Sequence, residues 1–532
     1  MSFTGMRFES CVLRILLLAV ATVFLASGAQ ASESVKKSPL RILFVGHNPQ
    51  TPAGEEDLDP DIGPDPARAE KLLHARSEEW ESFLKKYFET VDVVYPKKYK
   101  EAMSSKYDVT IFDVLPPQLP VDKNASKAGG PPFQYLSKDY SAATIMIGGP
   151  SSWIGEGREL KIDSLCLCLD AHAYGMKLDH PIFNTPYNAQ IELEQRETPA
   201  DARTFNSGRN LGPTMAMWRV QTEGYQEGKG FPIGLVSTGY GFDNGIDAEW
   251  ISGGVSTKGP DAAAIGRHAN FLLWGFAASP PYMTESAKLA FVNAVHYIAP
   301  YSGARQITSS IKSVESRASV LEREWTLSDE GAALYVTLLN ELRLKDIKER
   351  EKALAKRRAG EPLNPEEQMM ADIPVRPPYT REQTIAFEPE ALKKEFGDNY
   401  AAYGKYYTEN MGYFFSQRGT YEVSIDADAK ALGIANNDIR LLDAAVEMWR
   451  KGDRAKTAEA ILRRYTKESF TDVDAWAEWL KQNRDQLYFS EGDGFKWIVI
   501  PQAAAAWLKE NCDSLYASEC NGYQTLTTSK HD

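Results

Sequence analysis

The sequence predicts an α/β fold, a mostly parallel sheet flanked by helices, followed by a mainly helical C-terminal region. Three observations carry this expectation. Between residues 39 and 301 short apolar runs of strand length alternate with amphipathic segments, as in sheets whose strands are buried on both faces beneath helices. From about Arg305 the composition turns polar and rich in Glu, Lys and Arg, with helical periodicity. Finally, Gly234 to Ile298 reads as a strand, a polar glycine-rich loop, a second strand and a helix, which is how α/β proteins build a site at the end of a sheet.

The elements follow in order. Residues 39–46 (PLRILFVG) form a buried first strand, and an acidic Pro/Gly loop covers Thr51 to Pro66. Leu72, Leu73, Trp80, Phe83, Leu84 and Tyr87 draw an apolar stripe on a helix over 67–87. Further strands are expected at 91–95, 107–114, 142–149, 162–169, 231–237 and 270–276, and a helix from about Thr284. A long helix over 328–358 and a Pro-rich linker at 362–378 come next. Helices at 439–450, 455–465 and 473–487 follow, the last capped by Thr471 or Asp472, and then a hairpin around Glu491 to Gly494. The divisions are therefore 1–31, 39–301, 302–380 and 381–532.

Residues 1–31 have the build of an export signal, giving an expected exported protein, periplasmic or extracellular. Arg7 and Arg14 precede or open an apolar run to Leu25, and Ala29-Gln30-Ala31 supplies a small-x-small cleavage pattern before Ser32. No later run approaches the ~20 apolar residues of a membrane span. The formal charge of −13 and the absence of a dominant basic block argue against a nucleic-acid partner. Cys166 and Cys168, at i and i+2 of a strand, point to one face and are poorly placed to bridge each other; they are expected as buried thiols. Cys512 and Cys520 close a short loop, and an oxidising compartment leaves a disulfide there open.

Candidate site residues fall into four groups. His47 follows the first strand. Asp170, His172, Asp179 and His180 lie within eleven residues, a set that suits a divalent metal or acid–base work, or else merely shapes a loop. Ser151 sits in the Gly148 to Ser152 turn, whose Pro150 departs from a nucleophile elbow. Tyr240, Asp243, Asp247, Arg267 and His268 belong to the polar loop, whose glycines would permit close approach to a ligand. His47, His172, His180 and Asp243 are the expected catalytic set; Ser151, Asp170, Tyr240, Asp247, Arg267 and His268 are the expected ligand contacts. If the sheet is parallel throughout, these groups converge beyond the carboxyl ends of its strands. No motif identifies a cofactor.

Leu178-Asp-His-Pro-Ile182, taken with Ala264-Ile-Gly-Arg-His268 and Phe271 to Phe276, resembles segments of the trehalose-utilisation (ThuA-like) family, over residues 41–298. The resemblance implies the fold of class I glutamine amidotransferases and a link to carbohydrate. It does not carry the amidotransferase triad, because the turn at Gly148 to Ser152 lacks a cysteine and no His-x-Glu segment follows.

Three readings stand open. One is an exported protein that binds or modifies a carbohydrate or similar polar small molecule. The second is a non-catalytic envelope scaffold with a protein partner on its helical half. The third is a thiol-dependent hydrolase.

Overall fold

The computed structural model describes residues 36–47, 66–121, 131, 133–162, 166–222, 234–239, 242, 245–386 and 388–511. The export segment, Tyr240, Asp243, Cys512 and Cys520 lie outside the described residues.

A ten-stranded mixed sheet forms the N-terminal half, in the order β2-β1-β3-β4-β12-β11-β10-β6-β8-β7. Its parallel block is β2 (Phe88–Val94), β1 (Ser38–Val45), β3 (Val109–Phe112), β4 (Thr144–Ile147) and β12 (Phe271–Trp274). The other five strands extend it antiparallel: β11 (Ala263–His268), β10 (Ala248–Gly254), β6 (His172–Tyr174), β8 (Thr214–Arg219) and β7 (Leu193–Glu197). Alternate residues of each parallel strand face opposite cores. Phe44, Ile145 and Trp274 pack under the helices Pro66–Tyr87 and Glu285–Ile298; Val45, Met146 and Leu273 pack with Ile154 of the helix Pro150–Arg158. Trp80 anchors the first core, 4.7 Å from Phe291 and 6.0 Å from Phe44 between ring centroids. Thr284 caps the closing helix by accepting from the Ala287 N–H at 3.2 Å.

Two expectations are corrected. The strand at Cys166–Leu169 (β5) does not join the main sheet; it pairs antiparallel with β9 (Gly234–Val236) in a separate two-stranded ribbon. The polar loop of residues 238–268 is not a single loop, because β10 and β11 lie in it and pair with each other. Its glycines serve packing. A Cβ on Gly239 would stand 2.2 Å from the Asp261 carbonyl, and one on Gly254 would stand 2.3 Å from Leu169 Cδ1.

The C-terminal region is helical, as expected. Helices Arg440–Arg450, Ala455–Tyr465 and Val473–Asn483 pack around Trp476, and Asp472 caps the last by accepting from Ala475 N at 2.8 Å. A hairpin of Leu487–Ser490 and Lys496–Val499 turns through 491–495. The Pro-rich stretch contains the helix Pro365–Asp372 and lies back along the long helix Asp329–Ala359. Arg357 pairs with Asp372 at 2.8 Å, and Arg350 donates to the Ile373 carbonyl at 2.8 Å.

The two halves are packed together. Ile246 of the sheet half joins a core with Tyr488, Ile498, Ile500 and Leu508. The connecting segment is gripped from both sides: Thr308 Oγ1 donates to Asp247 at 2.6 Å, and the Ser309 N–H donates to Asp493 at 3.0 Å.

Candidate functional site

The parallel block has the doubly wound order 2-1-3-4 with β12 as fifth strand, so its switch point lies beyond the carboxyl ends of β1 and β3. His47 is there, buried beside Tyr95 at 5.8 Å between ring centroids. Among the described residues this crevice holds an internal ion pair. Arg76 donates to both oxygens of Asp113 at 2.7 and 2.6 Å and to the Ala277 carbonyl at 2.6 Å, with both side chains buried. Ser151 is also at this edge, and its hydroxyl donates to the Gly148 carbonyl at 2.7 Å, closing the turn.

Asp170 and His172 lie toward the far side of the sheet. His172 is buried on β6, with Nε2 3.0 Å from the half-exposed Glu194 of β7. Asp170 is exposed.

The remaining candidates are at the opposite edge. His268 pairs with Phe271, the first residue of β12, so it and Arg267 mark the amino ends of the parallel strands. His47 is a strand length away, roughly 13 Å for four residues. Arg267 and His268 also alternate onto opposite faces. The expected common cleft of His47, His172, His180, Asp243 and Arg267 or His268 is therefore not formed among the described residues, which leave out Asp243, because β11 runs antiparallel and ends at the amino edge of the parallel block.

What Arg267 and His268 form is a paired interior. Arg267 is 0% exposed. Its Nε donates to Tyr297 Oη at 2.8 Å, its Nη1 donates to the carbonyls of Asp247 and Ala269 at 3.1 and 3.2 Å, and its guanidinium lies 4.4 Å from the Tyr301 ring centroid. Glu249, its cross-strand partner, lies 3.5 Å from Arg267 Nε and 3.5 Å from His180 Nε2, and accepts from the Tyr297 hydroxyl. Burial pushes the Glu249 carboxyl up, but the His180 bond and the Arg267 charge outweigh it and hold the pKa at about 2. His180 Nδ1 accepts from the Ile182 N–H at 3.2 Å and so caps the turn that follows. On the other face, Asp247 Oδ2 is 3.3 Å from His268 Nε2 and accepts from Ile307 N at 2.5 Å. Burial raises the Asp247 pKa, and the His268 charge with hydrogen bonds from His268, Thr308 and Ile307 reverses this to well below the usual carboxylate range.

The cysteine expectation is also corrected. Cys168 is disulfide-bonded and accepts from Thr257 Oγ1 at 3.4 Å. Among the described residues no three His, Cys, Asp or Glu side chains gather as a metal-ligand set. No described helix is long and apolar enough to cross a membrane.

A different feature lies at the junction of the two halves. Two cavities of about 600 and 660 Å³ share Glu159, Ser309, Arg418 and Lys467, and so form one groove. The first adds Lys138, Arg158 and Arg305, and the second adds Arg463, Arg464 and Lys496. Eight described cations thus face three lining carboxylates, Asp139, Glu159 and Asp493, in a chain whose net charge is −13.

Four of the eight have carboxylate partners. Arg418 pairs with Glu159, Lys467 with Asp493 at 2.7 Å, Arg463 with Glu459 at 2.8 Å, and Arg464 with Asp426 at 2.7 Å. Lys138, Arg158, Arg305 and Lys496 form no ion pair among the described residues. Arg158 and Lys496 are held by carbonyls instead, Lys496 by those of Arg463 and Arg464 at 3.0 and 2.5 Å. Burial, then the Lys467 and Arg464 charges, lower the Lys496 pKa to about 8. Phe133 lines the first cavity and meets Trp153 edge-on at 4.9 Å, with Trp153 46% exposed.

Sequence reasoning missed this groove because its cations come from segments spread between residues 138 and 496. The one local signal is Arg463-Arg464 with Lys467, three cations on the last turn of a helix and just beyond it. The chain matches no protein-family description, no curated protein and no solved structure.

Proposed function

We propose that this is an exported binding protein that holds a carbohydrate or similar polar ligand in the groove between its halves, with the sheet serving as a rigid frame. The carrying observation is the surplus of cations at the junction of an acidic chain, four of them in no ion pair among the described residues. A solvent-reaching cavity with convergent polar groups is the default place for a ligand. The histidines and carboxylates that would serve catalysis at the amino edge are instead bonded to one another and buried. The five-stranded parallel block supports a class I glutamine amidotransferase-like core, and the ThuA-like resemblance supports carbohydrate as the ligand class. A disulfide sulfur is not a free thiolate, so Cys168 lends no support to thiol-dependent hydrolysis. Its oxidised state supports the export reading, because such bonds persist in oxidising compartments.

The test is a thermal-shift panel of saccharides and small polar ligands on the full-length protein, with product analysis of each hit. A ligand well above its dissociation constant should raise Tm by a few degrees, and Arg305→Ala with Arg463→Ala should remove the rise. A shift that survives those substitutions, or a ligand that is turned over, contradicts the proposal.

A further inference from the structure

Resting on the proposed binding function, we infer that the groove takes an acidic polysaccharide, a chain of sugars carrying carboxylate or sulfate groups. Three features of the groove select this class. First, cations outnumber carboxylates eight to three in the groove lining, and they occur in both cavities. Lys138 and Arg305 are in the first cavity, Arg418 and Lys467 at the shared boundary, and Lys496 in the second. A single small anion would satisfy one cavity, since sites for small ligands run to ~300–1,000 Å³. Two such cavities in series suit a chain with repeated charges.

Second, the cations are of two kinds. Those with carboxylates behind them, Arg463 against Glu459 and Arg464 against Asp426, are fixed in direction. Fixed guanidiniums present a planar fork to a carboxylate or sulfate oxygen pair. Lys496 is different. It is partly buried, donates to two carbonyls, and lies near Lys467 and Arg464 with no ion pair among the described residues. An anion seated there would relieve repulsion that the empty groove sustains.

Third, the groove lining includes an aromatic side chain. Phe133 lines it, and Trp153 beside Phe133 is exposed. Aromatic faces of this kind cover the apolar faces of sugar rings while the ring hydroxyls stay in water. The aromatics also suit a nucleobase, and the DNA arm of the experiment distinguishes that ligand from a glycan.

The experiment measures binding of the full-length protein to oligogalacturonate, a sulfated glucan, a neutral glucan, a single-stranded DNA oligonucleotide and inorganic phosphate, each at low and physiological salt. Oligogalacturonate or the sulfated glucan should bind, more weakly as salt screens the cations, and the neutral glucan should not. Which of the two acidic glycans binds more tightly identifies carboxylate or sulfate as the recognised group. Arg305→Gln combined with Lys496→Gln should weaken acidic-glycan binding by about tenfold or more, with the Tm and near-ultraviolet circular dichroism of the variant showing that it is folded. Phe133→Ala should weaken glycan binding and leave any phosphate binding unchanged, which separates sugar contact from charge alone. The inference is overturned if DNA binds as tightly as the acidic glycans, or if the charge variant binds them like the wild type. Neutral-glucan binding that the charge variant does not alter overturns it while leaving a carbohydrate-binding protein standing. Failure of every saccharide to bind removes the proposed function as well.

Discussion

The amino edge of the sheet and the junction groove use the same kinds of side chain in opposite ways. At the amino edge Arg267 has Glu249, two tyrosines and two carbonyls around it, and His268 has Asp247. Every charge is answered from within the fold. In the groove, Lys138, Arg158, Arg305 and Lys496 form no ion pair among the described residues, and only Arg158 feels nearby carboxylates, Glu101 and Asp139. The comparison teaches that residue type does not separate a structural network from a binding surface. What separates them is whether the charges are neutralised internally and whether solvent reaches them.

The sharpest way to break this comparison is to delete one charge from each region. Arg267→Met leaves the largely buried Glu249 with His180 and the Tyr297 hydroxyl but without its guanidinium, and removal of one partner from such a pair typically costs ~3–5 kcal/mol. Urea unfolding should show a loss of that size. A loss below about 1 kcal/mol would mean that the network is not the internal one described. The same variant should alter acid stability. The Glu249 pKa is lowered to about 2 from the usual 4.5, so its stabilisation is full above pH 4.5 and is lost as pH falls through 2. Over that window wild-type stability should fall more steeply than that of Arg267→Met.

A partly buried carboxylate extends the comparison. Glu322 accepts from the Asn206 N–H at 2.9 Å but has no ion-pair partner among the described residues, and burial raises its pKa to about 7 from 4.5. The folded state then binds more protons than the unfolded one between those values, so stability declines as pH rises from 4.5 to 7 and the penalty is full above 7. Glu322→Gln should therefore gain about 1–2 kcal/mol at pH 8, after allowance for partial solvent screening, and nothing at pH 4. A gain that is equal at both pH values would assign the effect to packing.

The smallest effect is expected in the groove. Arg305 is exposed and unpaired, so Arg305→Ala should change unfolding free energy by less than ~0.5 kcal/mol. A large loss would show that the groove, too, is a structural network.

Much of the frame was legible because burial on both faces leaves an unmistakable apolar run. The runs at 39–46 and 270–276 became β1 and β12, and the stripe of Trp80, Phe83 and Leu84 became a core helix. The hairpin around 491–494 was legible from its Gly-Asp-Gly turn. The antiparallel half was not. β7 (LEQRE) is an edge strand with an almost fully polar, exposed surface, and β6 has only three residues. In β10 and β11 small residues and glycines fill tight space, so the sequence there resembles a loop. That misreading placed Arg267 and His268 at the wrong end of the sheet, since a strand's direction decides which edge its last residues occupy. Asp170 and His172 were taken as a local cluster with His180, yet the chain carries His180 to Glu249 at the amino edge.

Lys496 gives the most direct test of the central claim, that the groove and not the sheet edge is built to receive a ligand. Its pKa is lowered to about 8 from 10.5, so without ligand the charged lysine costs stability below pH 8, and this cost fades as pH rises toward 10.5. The measurement is Tm at pH 7 for wild type and Lys496→Gln, with and without saturating oligogalacturonate or sulfated glucan. Without ligand the variant should melt slightly higher than wild type. With ligand the order should reverse, because only the wild type gains an anion beside the buried ammonium. Equal ligand-induced shifts in the two proteins would contradict the claim.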